Sequence, residues 1–389
     1  MPKLFLVDSF SLIFRAFYAM QRGRPLTTPG GEPSGAVFGF ASILTALLER
    51  EKPDYIACVF DTKEPTHRHL LYEPYKANRQ AMPEDLIPQV GRIKELIDVM
   101  GIKRIEQAGF EADDIIGTLS LEGERKNVDV YCVTSDKDYY QLIDSKVRLL
   151  KPSNGSSEYE LHDEQHCREK FGVPPSQVID VLALIGDSSD NIPGVKGVGE
   201  KTAIPLVQQY GTVENIYAHV EEVSKESLKT KLKENEEMAK LSKVLVTIDR
   251  NVPLDHGYEE CLPSSPDPQK VADFFDMMGF STLKKKWLAR SADVNTTSPT
   301  STTETTSNSL QSVATETPSI QRLEDLPHEY ITVDSISRLD EMIDDLRHCT
   351  AVAIDLETTS LDAMQCEIVG VSACGQEGNC LLYTSDAAD

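Results

Sequence analysis

A chain of 389 residues, 40% hydrophobic and 26% charged, is long enough for two or three domains and has an ordinary globular composition. It contains no apolar run that could span a bilayer, and its short apolar N-terminus is interrupted by Asp8, which indicates a buried strand rather than a signal peptide. The formal net charge of -24 opposes nucleic-acid binding, unless many of the acids lie where bound divalent cations reverse the local sign. The eight cysteines are scattered singly, which disfavours a zinc site and suits reduced thiols in a cytoplasm.

Strand-like and helical patterns alternate along the first part of the chain. Short apolar runs predict three strands, at residues 3–7, 55–60 and 128–134. Apolar residues at helical spacing predict helices over 37–48 and 86–100. This alternation predicts an α/β fold with a mainly parallel sheet, followed by a mostly helical region from about residue 165 to 288.

A Ser/Thr-rich stretch with almost no large apolar residues begins at residue 291. It cannot bury enough surface to offset its ordering entropy, so it predicts a disordered linker. Apolar patterning returns near residue 329. The chain is thus divided into a catalytic core, a helical subdomain, a linker and an α/β segment, at residues 1–165, 166–290, 291–328 and 329–389.

Acidic residues close the three predicted strands: Asp8, Asp61 and Asp136. The carboxyl ends of parallel strands meet at one sheet edge, so these side chains are expected to converge, although each alone could be a helix cap or turn residue. The segments FEADD, TSDKD and GDSSDN supply six more acids: Glu111, Asp113, Asp114, Asp138, Asp187 and Asp190. Nine carboxylates in one cleft repel one another, which predicts hard divalent cations, Mg²⁺ by default, and phosphodiester hydrolysis.

Two further segments suggest contacts with DNA. Residues 67–80 interleave Arg68, Lys76 and Arg79 with tyrosines, which suits a single strand but equally a solvated basic helix face. Residues 193–203, PGVKGVGEKTA, predict a glycine turn opening onto a helix whose backbone N–H groups hold a phosphate. The candidate contacts there are Gly194, Lys196, Gly197, Gly199, Lys201 and Thr202. This segment does not match the GxxxxGK[ST] loop, so no ATP site is expected.

Five motifs in order carry a resemblance to a known family: LVDSFSLIFRAFYA, VFDTKEPTHRHLLYEPYKANR, FEADDIIGTL, TSDKDYYQLI and GDSSDNIPGVKGVGEKTA. Over roughly residues 1–290 the chain resembles the 5′ nuclease domain of bacterial DNA polymerase I and related flap endonucleases. The resemblance implies a PIN-like (resolvase-like) sheet with a helical arch, followed by a helix–hairpin–helix subdomain. It also implies a structure-specific 5′–3′ exonuclease and flap endonuclease that works by a two-metal mechanism.

The resemblance also assigns roles by position. Asp8, Asp61, Glu111, Asp113 and Asp114 resemble the acids around the hydrolytic metal; Asp136, Asp138, Asp187 and Asp190 resemble those of the second metal. Lys76 and Arg79 match basic arch residues at the scissile phosphate, and Tyr75 matches an aromatic neighbour. The expected cofactors are two or more Mg²⁺ ions, replaceable by Mn²⁺, with K⁺ held by backbone carbonyls of residues 194–199. The catalytic candidates are Asp8, Asp61, Lys76, Arg79 and Asp114.

The segment AVAIDLETTSLD, residues 351–362, resembles the first motif of a 3′–5′ exonuclease domain, with Asp355 and Glu357 as its DxE pair. The later motifs of such a domain are not found before residue 389, so a truncated copy is expected. The resemblance implies a monomeric part of a cytoplasmic, nucleoid-associated bacterial polymerase. It would act in replication and repair, on branched or nicked DNA with a 5′ flap and on RNA primer–DNA hybrids, with no membrane partner.

Three other interpretations remain open. A haloacid-dehalogenase-type phosphohydrolase also uses an Asp after its first strand, but it needs a second Asp two residues later, and here Asp8 is followed by Ser9 and Phe10. A non-catalytic DNA-binding scaffold of the same fold would be expected to have lost some of the nine acids. An independent nuclease never joined to a polymerase is disfavoured by the linker and the DLE segment.

Overall fold

The computed structural model describes residues 1–21, 25–152, 159–294, 329–333, 336–349, 352–358, 368–376 and 379–384. The chain forms two compact units, Met1–Thr300 and Ser301–Asp389. In these described ranges, no helix combines the length and apolar character needed to cross a membrane.

The first unit is built on a six-stranded sheet. Its strands are β1 (Lys3–Asp8), β2 (Tyr55–Phe60), β3 (Lys103–Glu106), β4 (Asp129–Val133), β5 (Val147–Pro152) and β6 (Tyr159–His162). They lie in the order β3-β2-β1-β4-β5-β6, with β1 to β5 parallel and β6 antiparallel to β5. The three predicted strands are confirmed as β1, β2 and β4. β1 and β4 lie at the centre of the sheet, and β2 is the neighbour of β1.

Helices cover this sheet and then continue as a separate helical region. The helices interleaved with the first strands are α1 (Ser9–Met20), α2 (Gly35–Glu51), α3 (His67–Leu71), α4 (Ile87–Val99) and α5 (Ala112–Arg125). The later helices are α6 (Glu164–Phe171), α7 (Val178–Ile185), α8 (Glu200–Tyr210), α9 (Val213–Ala218), α10 (Glu226–Glu234), α11 (Glu236–Val246), α12 (Pro268–Met278) and α13 (Ser281–Val294). The two helices predicted over 37–48 and 86–100 are therefore α2 and α4, and the mostly helical region is also confirmed.

Alternate side chains of β1 pack into two apolar layers, one on each face of the sheet. Leu4 and Leu6 belong to a core that includes the apolar face of α5. Phe5 and Val7 belong to a second core, formed with α1, α2, α4 and α12. Successive strand residues point to opposite faces, and a parallel sheet buried on both faces is held rigidly. The strand ends are thereby fixed as a platform for the side chains that follow them.

The segment between β2 and α4, expected to form a helical arch, contains one short helix. That helix is the five-residue α3, and the chain then continues through turns at residues 73–78. The turns dock on the loop after α7: Asn78 Nδ2 donates to the Ser188 carbonyl at 2.6 Å, and Asn191 Nδ2 donates to the Pro74 carbonyl at 2.7 Å. The basic residues of this segment are therefore held over the sheet edge.

In its described residues, the second unit contains a four-stranded sheet and one helix. Its elements are β7 (Glu329–Val333), α14 (Ile336–Arg347), β8 (Ala353–Thr358), β9 (Ile368–Gln376) and β10 (Asn379–Thr384). The order is β7-β10-β9-β8, with β7 and β10 parallel and the other pairs antiparallel. Asp355 and Glu357 lie on β8, opposite Ser372 and Gly370 in the register. The predicted linker is entered by α13, which runs four residues past position 290, and the remainder of that linker lies outside the described residues.

Candidate active site

Two carboxylates follow the central strands directly. Asp8 ends β1 and caps α1, accepting hydrogen bonds from the Ser11 backbone N–H at 3.2 Å and from Thr134 Oγ1 at 2.8 Å. Asp61 follows β2 and accepts from the Ala112 N–H, at the start of α5, at 2.9 Å. These bonds tie the ends of β1, β2 and β4 to the start of α5, so the predicted convergence of strand ends is observed.

The first turn of α5 brings two more acids to this edge. Glu111 is the N-cap of α5, and Lys76 Nζ lies 2.9 Å from its Oε1. Burial acts to raise the pKa of Glu111, but the charges of Lys76 and Arg68 outweigh burial and lower this pKa. Asp113 accepts a hydrogen bond from the Tyr139 hydroxyl at 2.8 Å. Glu111 is thus paired with a cation, whereas the hydrogen bond to Asp113 comes from a neutral donor.

The segment TSDKD after β4 supplies the next pair of acids. The Asp136 N–H donates to Thr134 Oγ1 at 3.1 Å, and the Asp138 N–H donates to Asp136 Oδ1 at 3.0 Å. Asp138 Oδ1 is buried and finds no hydrogen-bond partner among the described residues. Burial, followed by the charges of Asp136 and Asp187, raises the pKa of Asp138 well above its ordinary value.

The loop after α7 places the last two acids against basic side chains. Lys137 Nζ lies 3.0 Å from Asp187 Oδ2, and this ion pair lowers the pKa of Asp187 although burial opposes it. Arg79 Nη2 lies 2.5 Å from Asp190 Oδ1, and Lys76 Nζ lies 3.7 Å from Asp190 Oδ2. The acidic edge therefore meets the arch segment through Lys76 and Arg79.

The acids of the two predicted groups affect one another electrostatically. Burial raises the pKa of Asp8 to about 7; the hydrogen bond from Thr134 opposes the shift, and the charge of Asp61 adds to it. Burial and then the charges of Asp136 and Asp8 raise the pKa of Asp113. Asp113 thus lies within electrostatic reach of acids from both groups, and the edge carries more negative charge than its basic residues compensate.

The donor set of this edge fits divalent cations. Buried carboxylate oxygens, one of them unpartnered within the described structure, are the hard ligands that Mg²⁺ and similar ions prefer. As the side chains stand, no group of three His, Cys, Asp or Glu residues in the described part of the chain is arranged to hold a metal ion. Lys76, Lys137 and Arg79 occupy carboxylate oxygens instead, so metal binding by these acids requires some of these pairs to open.

Asp114, grouped with the metal-binding acids on sequence, has a different environment. It is fully buried, and both of its oxygens accept hydrogen bonds from the Arg68 guanidinium at 2.8 Å. Arg68 itself is 2% exposed, so neither interpretation of residues 67–80, a strand-binding segment or a solvated basic face, describes Arg68 in this conformation. The pattern of basic and aromatic residues could not separate Arg68 from its exposed neighbours, because its partners lie far away in sequence.

The expected DNA contacts of the arch segment are placed unequally. Tyr75 is 3% exposed and donates from its hydroxyl to Glu111 Oε2 at 3.0 Å, so its ring offers no face for base stacking in this arrangement. Lys76 has a φ of 56°, an uncommon left-handed conformation for a non-glycine residue, and its N–H donates to the Asp190 carbonyl at 2.9 Å. The Arg79 side chain is 52% exposed while paired with Asp190.

The predicted hairpin lies between α7 and α8. Gly194 has a φ of +60°, and a Cβ there would approach the Gly186 nitrogen to 2.4 Å. Its N–H is buried and donates to Ser242 Oγ at 2.9 Å. Gly194 therefore closes the hairpin, and its N–H does not face a phosphate. Val195 and Val198 are buried and anchor the turn in the helical core.

The outer side of the hairpin carries the remaining candidates. Lys196, Gly197, Gly199 and Lys201 are exposed, and Thr202 is half-buried in the first turn of α8, with its N–H donating to the Gly199 carbonyl at 2.9 Å. The Gly197 carbonyl accepts a hydrogen bond from Lys231 Nζ at 3.3 Å. Exposed backbone, Lys196 and Lys201 thus form one surface at a helix start, which also carries the exposed Glu200.

Three residues at the acidic edge were not singled out from the sequence: Thr134, Lys137 and Tyr139. Thr134 bonds to Asp8, Lys137 pairs with Asp187, and Tyr139 bonds to Asp113. Their position in the sequence could have identified them, because all three lie within or directly after the acidic segment TSDKD. Residues between ligands are well placed to hold those ligands.

The fold and this edge match a nuclease family. The family model described as the N-terminal resolvase-like domain of 5′-3′ exonucleases matches residues 3–172, and the model for the C-terminal SAM fold matches residues 173–279. The two models are consecutive and together cover well over half of the chain. The chain therefore belongs to the 5′-3′ exonuclease family.

Curated relatives and solved structures agree with this family. DNA polymerase I of Lactococcus lactis subsp. cremoris (strain MG1363) is 41% identical over 291 residues, 74% of this chain and 33% of that protein. DNA polymerase I of Rhizobium leguminosarum is 34% identical over 426 residues, 95% of this chain and 41% of that protein. The chain thus spans about a third to two fifths of the length of these relatives.

A solved structure shows the same fold at lower sequence identity. A bacteriophage T5 flap endonuclease, in a pseudo-enzyme-product complex with DNA and metal ions, superposes with a TM-score of 0.53 at 19% identity. The match covers 75% of this chain and 98% of the phage protein. At this identity the comparison establishes a shared fold.

Proposed function

We propose that the chain is a divalent-metal-dependent, structure-specific 5′ nuclease, with 5′–3′ exonuclease and flap endonuclease activity, and forms the N-terminal part of a DNA polymerase I. The observation that carries the proposal is the convergence of acids at one sheet edge in a member of the 5′-3′ exonuclease family. An acidic edge whose last two acids lead directly into a lysine-bearing hairpin suits phosphodiester hydrolysis in a bound nucleic acid.

Two groups of carboxylates would hold the metal ions. One group is Asp8, Asp61, Glu111 and Asp113; the other is Asp136, Asp138, Asp187 and Asp190. Bound divalent cations supply an activated water and stabilise the leaving oxygen of the phosphodiester. Mg²⁺ is the proposed ion, with Mn²⁺ able to substitute, and the metal ions present in the phage flap endonuclease support a divalent requirement.

The chain's own residues position these acids and the substrate. Thr134 and Tyr139 fix Asp8 and Asp113 through hydrogen bonds of 2.8 Å. Lys76 and Arg79, paired here with Glu111 and Asp190, would turn to the scissile phosphate as the acids take up cations. Hydrolysis then leaves a 5′-phosphate on the downstream DNA and a 3′-hydroxyl on the released strand.

The hairpin would grip the duplex beside the cut. Lys196 and Lys201 flank exposed backbone at the start of α8, where N–H groups and the helix dipole favour a phosphate. A K⁺ ion bound by carbonyls of residues 194–199 would add to this charge. The Gly197 carbonyl accepts a hydrogen bond from Lys231 Nζ in this structure, so K⁺ binding at that carbonyl would replace this contact.

The proposed substrates are nicked or branched DNA with a 5′ flap, and RNA primer–DNA hybrids. The proposed role is primer removal and repair at the bacterial nucleoid, in line with the DNA polymerase I relatives, and a monomer would suffice because both acid groups come from one chain. The DNA in the phage flap endonuclease complex supports a DNA partner.

A mutation at each acid group tests the proposal. Asp113→Asn and Asp187→Asn should each lower flap cleavage at least about 1000-fold while leaving flap binding in Ca²⁺ within about threefold, because only metal ligation is lost. Cleavage would be followed on a 5′-labelled flap, with binding by fluorescence anisotropy. Unchanged cleavage in both variants would overturn the metal assignment. Binding without cleavage by the wild-type chain would favour the scaffold interpretation.

A further inference from the structure

Arg68 is a buried cation at the start of α3. Only 2% of its surface is exposed, and its guanidinium meets Asp114 with two parallel hydrogen bonds: Nη1 to Oδ2 and Nη2 to Oδ1, both at 2.8 Å. A planar guanidinium forms this paired contact with a carboxylate, and a lysine cannot reproduce it.

The remaining donors of Arg68 reach the end of α11 and the loop after it. Nε donates to the Leu245 carbonyl at 2.9 Å, and Nη2 also donates to the Thr247 carbonyl at 2.7 Å. Nη1 also reaches Glu111 Oε2 at 3.4 Å. All five N–H bonds of the guanidinium are therefore used. One side chain joins α3, the start of α5 and the helical subdomain.

Asp114 is saturated from the other side as well. Its Oδ2 accepts the Glu111 N–H at 3.2 Å, and its Oδ1 accepts the Asp249 N–H at 2.9 Å. With Arg68 included, each carboxylate oxygen accepts two hydrogen bonds, and the residue is fully buried. A metal ion could bind Asp114 only by displacing one of these four hydrogen bonds.

We propose that Arg68 and Asp114 are a positioning pair that fixes the first turn of α5 to the helical subdomain, and that neither contacts a metal ion or DNA. The inference rests on the proposed nuclease function. Through this pair Asp113, next to Asp114 in the chain, and Glu111, three residues before it, are held at the acidic edge. The same pair anchors α3, from which the segment carrying Lys76 and Arg79 extends.

Asp114→Asn and Arg68→Lys test this role, with Asp113→Asn as the matched control one residue away. Mn²⁺ stoichiometry would be measured by calorimetric titration, kcat and KM on a 5′-flap DNA, and the folded state by thermal unfolding. Asp114→Asn and Arg68→Lys should bind as many Mn²⁺ ions as the wild type, keep KM within about threefold, and lose about 10- to 100-fold in kcat. Asp113→Asn should lose one Mn²⁺ ion.

The double variant gives an independent readout. Because the two residues act as one unit, Arg68→Lys combined with Asp114→Asn should lower kcat no more than the worse single variant. Losses in kcat that multiply would show two separate roles and overturn the proposal. If the two residues only contributed separately to the stability of the fold, their losses in kcat would also multiply. The double variant therefore distinguishes a pair that acts as one unit from two independent structural contributions.

Two other results would overturn the proposal. Loss of one Mn²⁺ ion in folded Asp114→Asn would make Asp114 a ligand. A more than tenfold weaker flap affinity in Ca²⁺ for folded Arg68→Lys, with Arg79→Ala as the reference for an exposed cation, would make Arg68 a DNA contact. If Asp114→Asn does not fold, the KM and the Mn²⁺ stoichiometry of Arg68→Lys test the proposal instead. A folded wild-type chain that never cleaves would overturn the proposed function instead.

Discussion

Asp138 is buried at the acidic edge with one carboxylate oxygen that has no hydrogen-bond partner in the described part of the chain. Burial and the charges of Asp136 and Asp187 raise its pKa well above the ordinary value. A raised pKa means that the charged form is less favourable in the folded than in the unfolded protein. At neutral pH, Asp138 therefore lowers the free energy of unfolding of the metal-free protein.

Replacing Asp138 with Asn should raise the free energy of unfolding of the metal-free protein by about 1–2 kcal/mol at pH 7.5, because the repulsion is removed. The gain should shrink as the pH falls toward 4, where the folded wild type is protonated at this site. Urea unfolding in chelator at both pH values measures it. Exposed Asp255 provides the control, since Asp255→Asn should change stability by less than about 0.5 kcal/mol. An Asp138→Asn protein no more stable than wild type at pH 7.5 would contradict the account.

Single residues were predictable where one strand end determines their position. Asp8 and Asp61 needed only the rule that the ends of parallel strands share an edge. The environment of Asp114 could not be predicted, because its donors Arg68 and Asp249 lie on elements that are distant in sequence, and Arg68 is itself held by the Leu245 carbonyl. A run of acids such as FEADD shows which residues start a helix, but not which of them turns inward.

At the scale of an element, the hairpin between α7 and α8 depends on Gly194. Its φ of +60° is strained for other residues, and a Cβ would meet the Gly186 nitrogen at 2.4 Å. Gly194→Ala should therefore lower the free energy of unfolding by at least about 2 kcal/mol, measured by urea unfolding. Gly199→Ala is the matched control, because a Cβ there meets nothing within 4 Å, and it should leave stability nearly unchanged. Equal stability of the two variants would contradict this hairpin geometry.

The exposed lysines of the hairpin give a second prediction for this element. Lys201→Ala should weaken flap binding and reduce the slope of log affinity against log salt by roughly one, because one phosphate contact is removed. Anisotropy titrations at salt concentrations from about 50 to about 200 mM measure this slope. Lys285→Ala on α13 is the control and should leave the slope unchanged. Identical slopes for both variants would remove Lys201 from the DNA surface.

Elements with strong apolar periodicity were predicted, and weak ones were not. The strands β1, β2 and β4 are buried apolar runs, whereas the edge strand β3, KRIE, has a single buried residue and little strand signal. The arch segment was expected to be helical, but its turns are set by contacts with the loop after α7. Such contacts between distant segments do not appear in a local pattern.

At the scale of the whole molecule, every proposed active-site residue lies in the unit Met1–Thr300. A shortened chain ending after Val294 should therefore cleave a 5′ flap with kcat/KM within about threefold of the full chain, since no ligand or basic contact is removed. Parallel kinetics on the two proteins measure this. A loss of more than about tenfold in a folded shortened chain would show that the second unit contributes to catalysis.

The net charge of -24 was the weakest guide to function, because it sums over regions with different roles. Part of the acidic charge is concentrated at the sheet edge, while Lys196 and Lys201 lie exposed on the hairpin. The proposed nucleic-acid binding depends on how the charge is distributed, and the order of the motifs indicated that distribution although the net charge did not.

The central claim is that this acidic edge hydrolyses DNA with the help of divalent cations. The most direct test is incubation of the purified chain with a 5′-labelled DNA flap, in Mg²⁺ and in chelator. The account predicts release of a short labelled oligonucleotide near the junction in Mg²⁺ and none in chelator. A folded protein that leaves the flap intact in both Mg²⁺ and Mn²⁺, or cuts it equally well in chelator, would contradict the account.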